Sequence, residues 1–232
     1  MISTMKLNVM IALVLLLVCT SCKLETSSAT PNSNAQPSPS VEPNTTSNPE
    51  QSSTCALTKA AAPVTEGLKL GMTPEQVLAI LPGSKDDAEV KSSLARPASP
   101  LGVADFTVHA DKLQPKEKFA NISHFTFSLL DGHVSTINIG YNGPAYSNVD
   151  EFVSKFVQGT SLPPVDQWQT YVGMDNLKML TCKDFEVRVF AGGKGGNLNY
   201  VLLMDLEAQK KLKDRRAKAR AKATPTPGGG KG

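Results

Sequence analysis

The sequence is poor in the side chains that carry metal and acid–base chemistry. Its 232 residues include three histidines and four cysteines. A metal ion or a general base needs several convergent partners. The three histidines, His109, His124 and His133, do not gather in the sequence pattern: His124 points away from a predicted apolar face, and His133 sits at a predicted hairpin tip. We therefore expect no catalytic residue, no cofactor and no metal site.

Two motifs typical of enzymes are also missing. No serine lies in a Gly-x-Ser-x-Gly elbow. The glycine-rich stretches at 192–196 and 228–232 lack the spacing of a phosphate loop and do not open a helix after a strand. We expect the first to be a hairpin turn and the second a flexible end.

The apolar run near the start of the chain is too short for a membrane span. It extends from Leu7 to Val18, whereas a spanning helix needs about 20 apolar residues. Lys6 before the run and small residues after it are typical of a secretory signal. Thr20-Ser21-Cys22 resembles the lipobox of bacterial lipoproteins, which implies a signal peptide over 1–21 and a lipidated, palmitate-bearing Cys22. Cys19 departs from the family pattern, but it is a small apolar side chain.

The cysteine count then leaves one pair. Cys19 is removed with the signal and Cys22 carries the lipid, so Cys55 and Cys182 remain in an exported protein. Exported proteins favour disulfides, and we predict a Cys55–Cys182 bridge. The alternative is two free thiols.

Two segments differ from the rest in composition. Residues 22–54 consist of the lipidated cysteine and a stretch rich in Ser, Thr, Pro and Asn, which predicts a disordered tether. Residues 206–232 carry nine Lys/Arg against two acids, a net charge of +7, whereas 55–205 carry −3. We expect a basic helix followed by a flexible Pro/Gly tail. It either contacts anionic lipid or wall polymer, or serves only solubility; nucleic acid is not an expected partner.

The globular part, 55–205, predicts an α+β fold with helices packed on one face of an antiparallel sheet. Thr73, Pro74 and Gln76 predict a capping box at the start of the first helix, and Asn148 caps a second, amphipathic helix. Strand patterns follow each helix, which suggests two α-β-β halves.

The clearest hairpin covers residues 121–141. A two-residue Asp131-Gly132 turn would place the apolar residues of its two strands on opposite faces. We therefore predict a three-residue loop with a bulge, which pairs Phe127 with an odd-numbered partner and unites the apolar sets.

Three aromatic residues are candidates for a binding surface. Trp168, Tyr171 and Tyr141 could line it, since aromatic side chains anchor interfaces. The alternative is that the single tryptophan fills the core.

The stretch GLKLGMTPEQVLAILPG, from Gly67 to Gly83, resembles the first helix motif of the SmpA/OmlA family of outer-membrane assembly lipoproteins. Those proteins share a fold type with β-lactamase inhibitory proteins. The resemblance covers about seventeen residues and implies a helix-plus-antiparallel-sheet module that binds protein. It carries over no binding residues.

These observations predict a non-enzymatic, lipid-anchored envelope protein whose domain binds another envelope protein or a cell-wall component. An inhibitor-like or ligand-sensing module of the same fold is the second hypothesis, and an enzyme is the third. Lys23 after the lipidation site, rather than an aspartate, favours the outer membrane, facing the periplasm.

The lipidation site predicts a simple labelling result. A Cys22→Ala protein should not incorporate radioactive palmitate, because the acylated side chain is gone, whereas the natural protein should. Label retained by the variant would overturn the lipobox interpretation.

Overall fold

The computed structural model describes residues 55–192 and 198–223, and within them the chain forms four α-helices and seven strands. The helices are α1 (Pro74–Ile80), α2 (Ala88–Ala95), α3 (Val149–Phe156) and α4 (Leu206–Ala223). The strands are β1 (Val103–His109), β2 (Ile122–Leu130), β3 (His133–Tyr141), β4 (Gln169–Tyr171), β5 (Met174–Thr181), β6 (Phe185–Gly192) and β7 (Leu198–Asp205).

All seven strands form one antiparallel sheet in the order β1-β2-β3-β7-β6-β5-β4. The sheet joins two meanders, β1–β3 after α1 and α2, and β4–β7 after α3. Their last strands, β3 and β7, pair at the centre. The predicted α+β fold is therefore confirmed, and its two halves contribute three and four strands.

Local chemistry fixes the first helix where the sequence predicts it. The Thr73 hydroxyl accepts the Gln76 N–H, and the Gln76 side chain accepts the Thr73 N–H, so the capping box is complete. Val77 and Leu81 point into the core. Just before the cap, the Gly71 N–H donates to the Val134 carbonyl and the Val134 N–H donates to the Met72 carbonyl, both at 2.8 Å. The helix start is thereby attached to β3.

In the central hairpin the predicted three-residue loop is wrong, but the predicted pairing of odd-numbered residues is present. The loop is a two-residue turn, with Asp131 at φ 52° and Gly132 at φ 78°, rather than the predicted three-residue loop. The bulge lies inside β3, where Ser135 is the extra residue between the pairs Leu129↔Val134 and Ser128↔Thr136. The bulge restores the odd pairing that the apolar pattern requires.

As a result, one face of the sheet is apolar from β1 to β5. A row of buried side chains crosses six strands: Phe106, Phe127, Ile137, Leu203, Val187 and Leu180. Helices α1, α2 and α3 bury their apolar residues in this cluster. An ion pair between Lys178 and Asp150 (3.0 Å) ties α3 to β5 at the margin. We call the opposite side of the sheet the open face.

The predicted disulfide is present. Cys55 and Cys182 are bonded, with Cα atoms 4.4 Å apart, and both are buried. Backbone pairing continues beside it, since the Lys183 N–H donates to the Leu57 carbonyl at 3.1 Å. The bridge therefore fastens the first described residues to the turn between β5 and β6.

Removing the bridge should cost much of the stability. Replacing Cys55 and Cys182 by alanine is expected to lower the free energy of unfolding by about 4–5 kcal/mol, because the bridge closes a long loop in the unfolded chain. Urea denaturation measures the loss. The reduced natural protein is the matched control and should lose the same amount. Alkylation of either cysteine in unreduced protein would contradict the bridge.

Candidate functional site

The topology gives the sheet two ends with different chemistry. The disulfide end contains Cys182, Asp205 and the Asp131-Gly132 turn, because β5, β7 and β2 all finish there. The turn between β4 and β5 lies at the other end, which we call the hairpin end. About 25 Å separate the two, the length of an eight-residue strand.

The hairpin end exposes a short apolar tip, residues 171–174. Val172 is 94% exposed, and Tyr171 and Met174 are each 38% exposed. Gly173 has a φ of 82°, which allows the tight turn between the two strands. Pairing between β5 and β6 begins only at Leu177, so the tip extends beyond the strands beside it. Among the described residues, Val64 is the remaining large apolar side chain classed as exposed, at 51%.

A charged network on the open face supports the tip. The Arg188 guanidinium lies 5.5 Å from the centroid of the Tyr171 ring. The same side chain donates to Glu186 Oε1 at 2.7 Å, and the Thr181 hydroxyl donates to Glu186 Oε2 at 3.1 Å. These contacts hold one face of the Tyr171 ring against a cation and leave the neighbouring Val172 free of the sheet.

Apolar side chains continue from the tip across the open face. Leu177 and Phe190 are a cross-strand pair, and the Phe190 ring stacks on Tyr200 with centroids 4.9 Å apart. Leu177 and Phe190 are buried although they lie outside the cluster covered by the first three helices. The tip is therefore the exposed margin of a second, smaller apolar group.

The three aromatic residues proposed as one surface are not brought together. Trp168 is only 4% exposed and its indole N–H donates to the Pro163 carbonyl at 3.0 Å, so it fills the core. Tyr141 packs edge-on against Phe152 of α3, and burial raises the pKa of its hydroxyl. Tyr171 alone belongs to the exposed tip.

Two histidines lie closer together than the sequence suggested. His109 and His124 are directly opposite on β1 and β2, with ring centroids 6.4 Å apart. His109 also approaches Glu89 at 3.7 Å. Burial, and secondarily His109, keeps the pKa of His124 below its usual value. Among the described residues there is no group of three His, Cys, Asp or Glu side chains able to hold a metal ion.

The disulfide end carries an ionic contact that the sequence did not reveal. Arg215 of α4 binds Asp131 through two parallel hydrogen bonds of 2.8 Å, and Lys211 donates to the same carboxylate at 2.7 Å. We call Asp131, Lys211 and Arg215 the helix clasp. Arg215 also donates to the Leu101 carbonyl at 2.7 Å. The predicted tail helix is thus held against the domain in its first half.

The four-residue spacing in the tail helix also predicts Glu207–Lys211 and Asp214–Lys218 pairs. In the structure Lys211 instead binds Asp131 at 2.7 Å, and Asp214 binds Lys210 at 3.0 Å. Asp131 is distant in sequence from Lys211 and Arg215. The clasp could therefore be located only once the fold showed that α4 starts at the same end of the sheet as the Asp131-Gly132 turn.

Several predictions fall outside the part of the chain that is described. These are the signal peptide, Cys22, the tether, the glycine turn at 193–197 and the tail at 224–232. Within 55–192 and 198–223, none of the helices combines the length and the hydropathy that crossing a membrane requires.

Comparisons with known proteins assign no function to the chain. Neither a protein-family model nor a curated protein sequence matches the chain significantly. A solved cysteine-rich secretory protein from Staphylococcus aureus subsp. aureus Mu50 is similar at 8% identity and a TM-score of 0.31, over 60% of this chain and 44% of that one. The chain thus spans less than half of that protein's length, and so low a likeness decides neither fold nor activity.

The helix clasp predicts a local and pH-dependent effect. Asp131→Asn should speed amide hydrogen exchange in residues 206–215 and leave the sheet unchanged. Asparagine tolerates the positive φ of the turn, so only the charge is lost. Exchange in this part of the helix that matches the natural protein would contradict the clasp.

The natural protein should also respond to acid. Hydrogen bonds from Arg215, and then from Lys211, hold the pKa of the Asp131 carboxyl well below its usual range. The clasp therefore contributes fully above pH ~4 and weakens as the pH falls further towards the lowered pKa. NMR shifts of the Arg215 side chain should follow this titration, and they should not in Asp131→Asn.

Proposed function

We propose that the protein is a lipid-anchored protein of the bacterial envelope whose domain binds another envelope protein through the exposed hairpin tip. The observation that carries the proposal is the position of the tip. Apolar residues 171–174 are exposed at the end of the sheet opposite the one where the chain enters through Cys55. A partner can therefore reach the tip without meeting the attached segment.

The composition of the tip suits a protein partner. Interface centres are enriched in aromatic residues, Met and Arg and depleted in other charges. The tip supplies Tyr171, Val172 and Met174, with Arg188 directly behind the ring. A pocket that closes around a nearly fully exposed valine would bury about 100 Å² or more of apolar surface, which is favourable at about 25 cal/mol per Å². A sugar polymer of the wall would gain less from such a surface.

The sequence supplies the reasons for placing the protein in the envelope. The lipobox-like Cys22 would be the anchor, and the composition of residues 23–54 predicts a coil with a root-mean-square length of about 30 Å. The Cys55–Cys182 bridge is in keeping with an oxidising compartment.

Crosslinking in cells would identify the partner. A photoreactive residue is introduced at position 172 of the full chain, and at position 64 as the matched control, since both replace exposed valines. We expect a defined adduct with an envelope protein from position 172 and not from position 64. Identical adducts from both positions, or none from 172, would contradict the proposal. An adduct with a single soluble hydrolase would instead favour the inhibitor-like module.

Polar replacement of the tip should abolish the interaction without unfolding the domain. Val172→Asp is expected to weaken binding of the partner so identified by at least about tenfold, the effect of losing an interface hot spot. Its melting temperature should stay unchanged, because the side chain is 94% exposed. Val64→Asp is the control and should bind like the natural protein. Equal binding by all three would overturn the assignment of the tip.

A further inference from the structure

The second half of α4 extends beyond the helix clasp, which holds its first half. Leu206, Gln209 and Leu212 are half-buried, and Gln209 donates to the Thr136 hydroxyl at 3.2 Å. Arg215 contacts Asp131 and the Leu101 carbonyl. Every residue from 216 to 222 is exposed. We call residues 216–222 the basic extension.

The charge pattern of the basic extension is costly for a helix that has no ligand. Lysines and arginines alternate with alanines, so Lys218 and Lys222 are four residues apart. Like charges at this spacing repel each other across one helical turn. From residue 215 to residue 232 the sequence contains no Asp or Glu. A helix needed only for solubility could carry compensating glutamates.

The same pattern places positive charge around most of the helix. Successive residues are rotated by 100°, so Arg216 and Arg220 lie on one side while Lys218 and Lys222 lie on nearly the opposite side. The remaining residues are alanines, which provide no apolar stripe for insertion into hydrocarbon. Such a segment suits superficial electrostatic contact with an anionic surface, towards which either side can present two basic residues.

The basic extension belongs to the end of the domain where the chain enters. Asp184, in the turn between β5 and β6, accepts the Leu206 N–H on its carbonyl at 3.0 Å and the Lys59 N–H on its carboxylate at 3.2 Å. Lys59 Nζ also binds Asp205, the last residue of β7, at 2.9 Å. The start of α4 and the first described residues therefore share one corner, beside the disulfide.

We propose that the basic extension binds the anionic headgroups of a phospholipid surface. The helix clasp holds α4 in a fixed direction, and the exposed lysines and arginines meet lipid phosphates at the membrane surface. Binding is electrostatic and superficial. The inference rests on the proposed function only for the choice of membrane, because the binding itself needs no lipid anchor.

Vesicle flotation tests the proposal without the anchor. The protein used is the chain from residue 23 onward, which retains the disulfide, the core and every described residue. The vesicles contain phosphatidylcholine alone or with 30 mol% phosphatidylglycerol, a composition of about one anionic lipid in three chosen for a moderate surface potential. We expect flotation only with the anionic vesicles, and loss of it at high salt, since exposed charges are screened.

Two triple variants distinguish binding by the basic extension from a general effect of the protein's net charge. Arg216→Gln, Lys218→Gln and Lys222→Gln together should lower the partition coefficient by at least about tenfold, given the usual contribution of each basic residue near an anionic surface. Lys69→Gln, Lys85→Gln and Lys116→Gln remove the same charge from exposed positions elsewhere and should bind like the natural protein. Circular dichroism confirms that each variant is folded.

Three outcomes would overturn the inference. Equal losses in the two variants would mean that only net charge matters. Equal flotation with both vesicle types would mean an apolar attachment. Binding to isolated wall polymer or lipopolysaccharide with none to phosphatidylglycerol vesicles would assign the basic extension to a different ligand. None of these results depends on the partner of the hairpin tip, so the two proposals fail separately.

Discussion

The fold depends on one extra residue in the central hairpin. Without Ser135 the two-residue turn would pair Phe127 with Thr136, and apolar side chains would alternate between the two faces of the sheet. With it, Phe127 meets Ile137, and every strand joined later adds its apolar residues to the same face. The bulge lies one residue beyond Val134, whose N–H and carbonyl are bonded to Met72 and Gly71. The same irregularity thus sets the face of the core and lies beside the attachment of α1.

Helices α1 to α3 cover one face of the sheet, and the side chains on the open face differ between its two halves. Over β1 to β3 this open face is polar, and the Thr107 and Thr126 hydroxyls are 3.0 Å apart. Over β5 to β7 the ion pair of Arg188 and Glu186 lies among apolar side chains, which include the stacked rings of Phe190 and Tyr200. An antiparallel sheet tolerates water on one side, so the polar half needs no cover. The apolar side chains of the β5 to β7 half end at the exposed tip, where Val172 is 94% exposed and an interaction would remove apolar surface from water.

Sequence reasoning succeeded where the determining contacts are local. The capping box at Thr73 and the strands of the central hairpin follow from residues a few positions apart. The pairing of odd-numbered residues in that hairpin was also predictable, because only this pairing places the apolar side chains of both strands on one face. The length of the loop was not predictable. Asp131-Gly132 is well suited to a two-residue turn, and the correction came from a bulge within the strand. The helix clasp was missed because Lys211 and Asp131 are 80 residues apart. Trp168 was ambiguous because an aromatic residue suits both a core and an interface.

On the proposed function, the disulfide end of the sheet would face the membrane and the hairpin end would bind the partner. A flexible tether of about 30 Å alone would let the domain take many orientations. A clasped basic helix that starts beside the first described residues would favour one orientation, with the disulfide end against the lipid. One continuous sheet then carries the hairpin tip about 25 Å away from the surface. The tip would be presented to partners at a nearly constant height, which raises its effective concentration for any partner fixed in the same membrane.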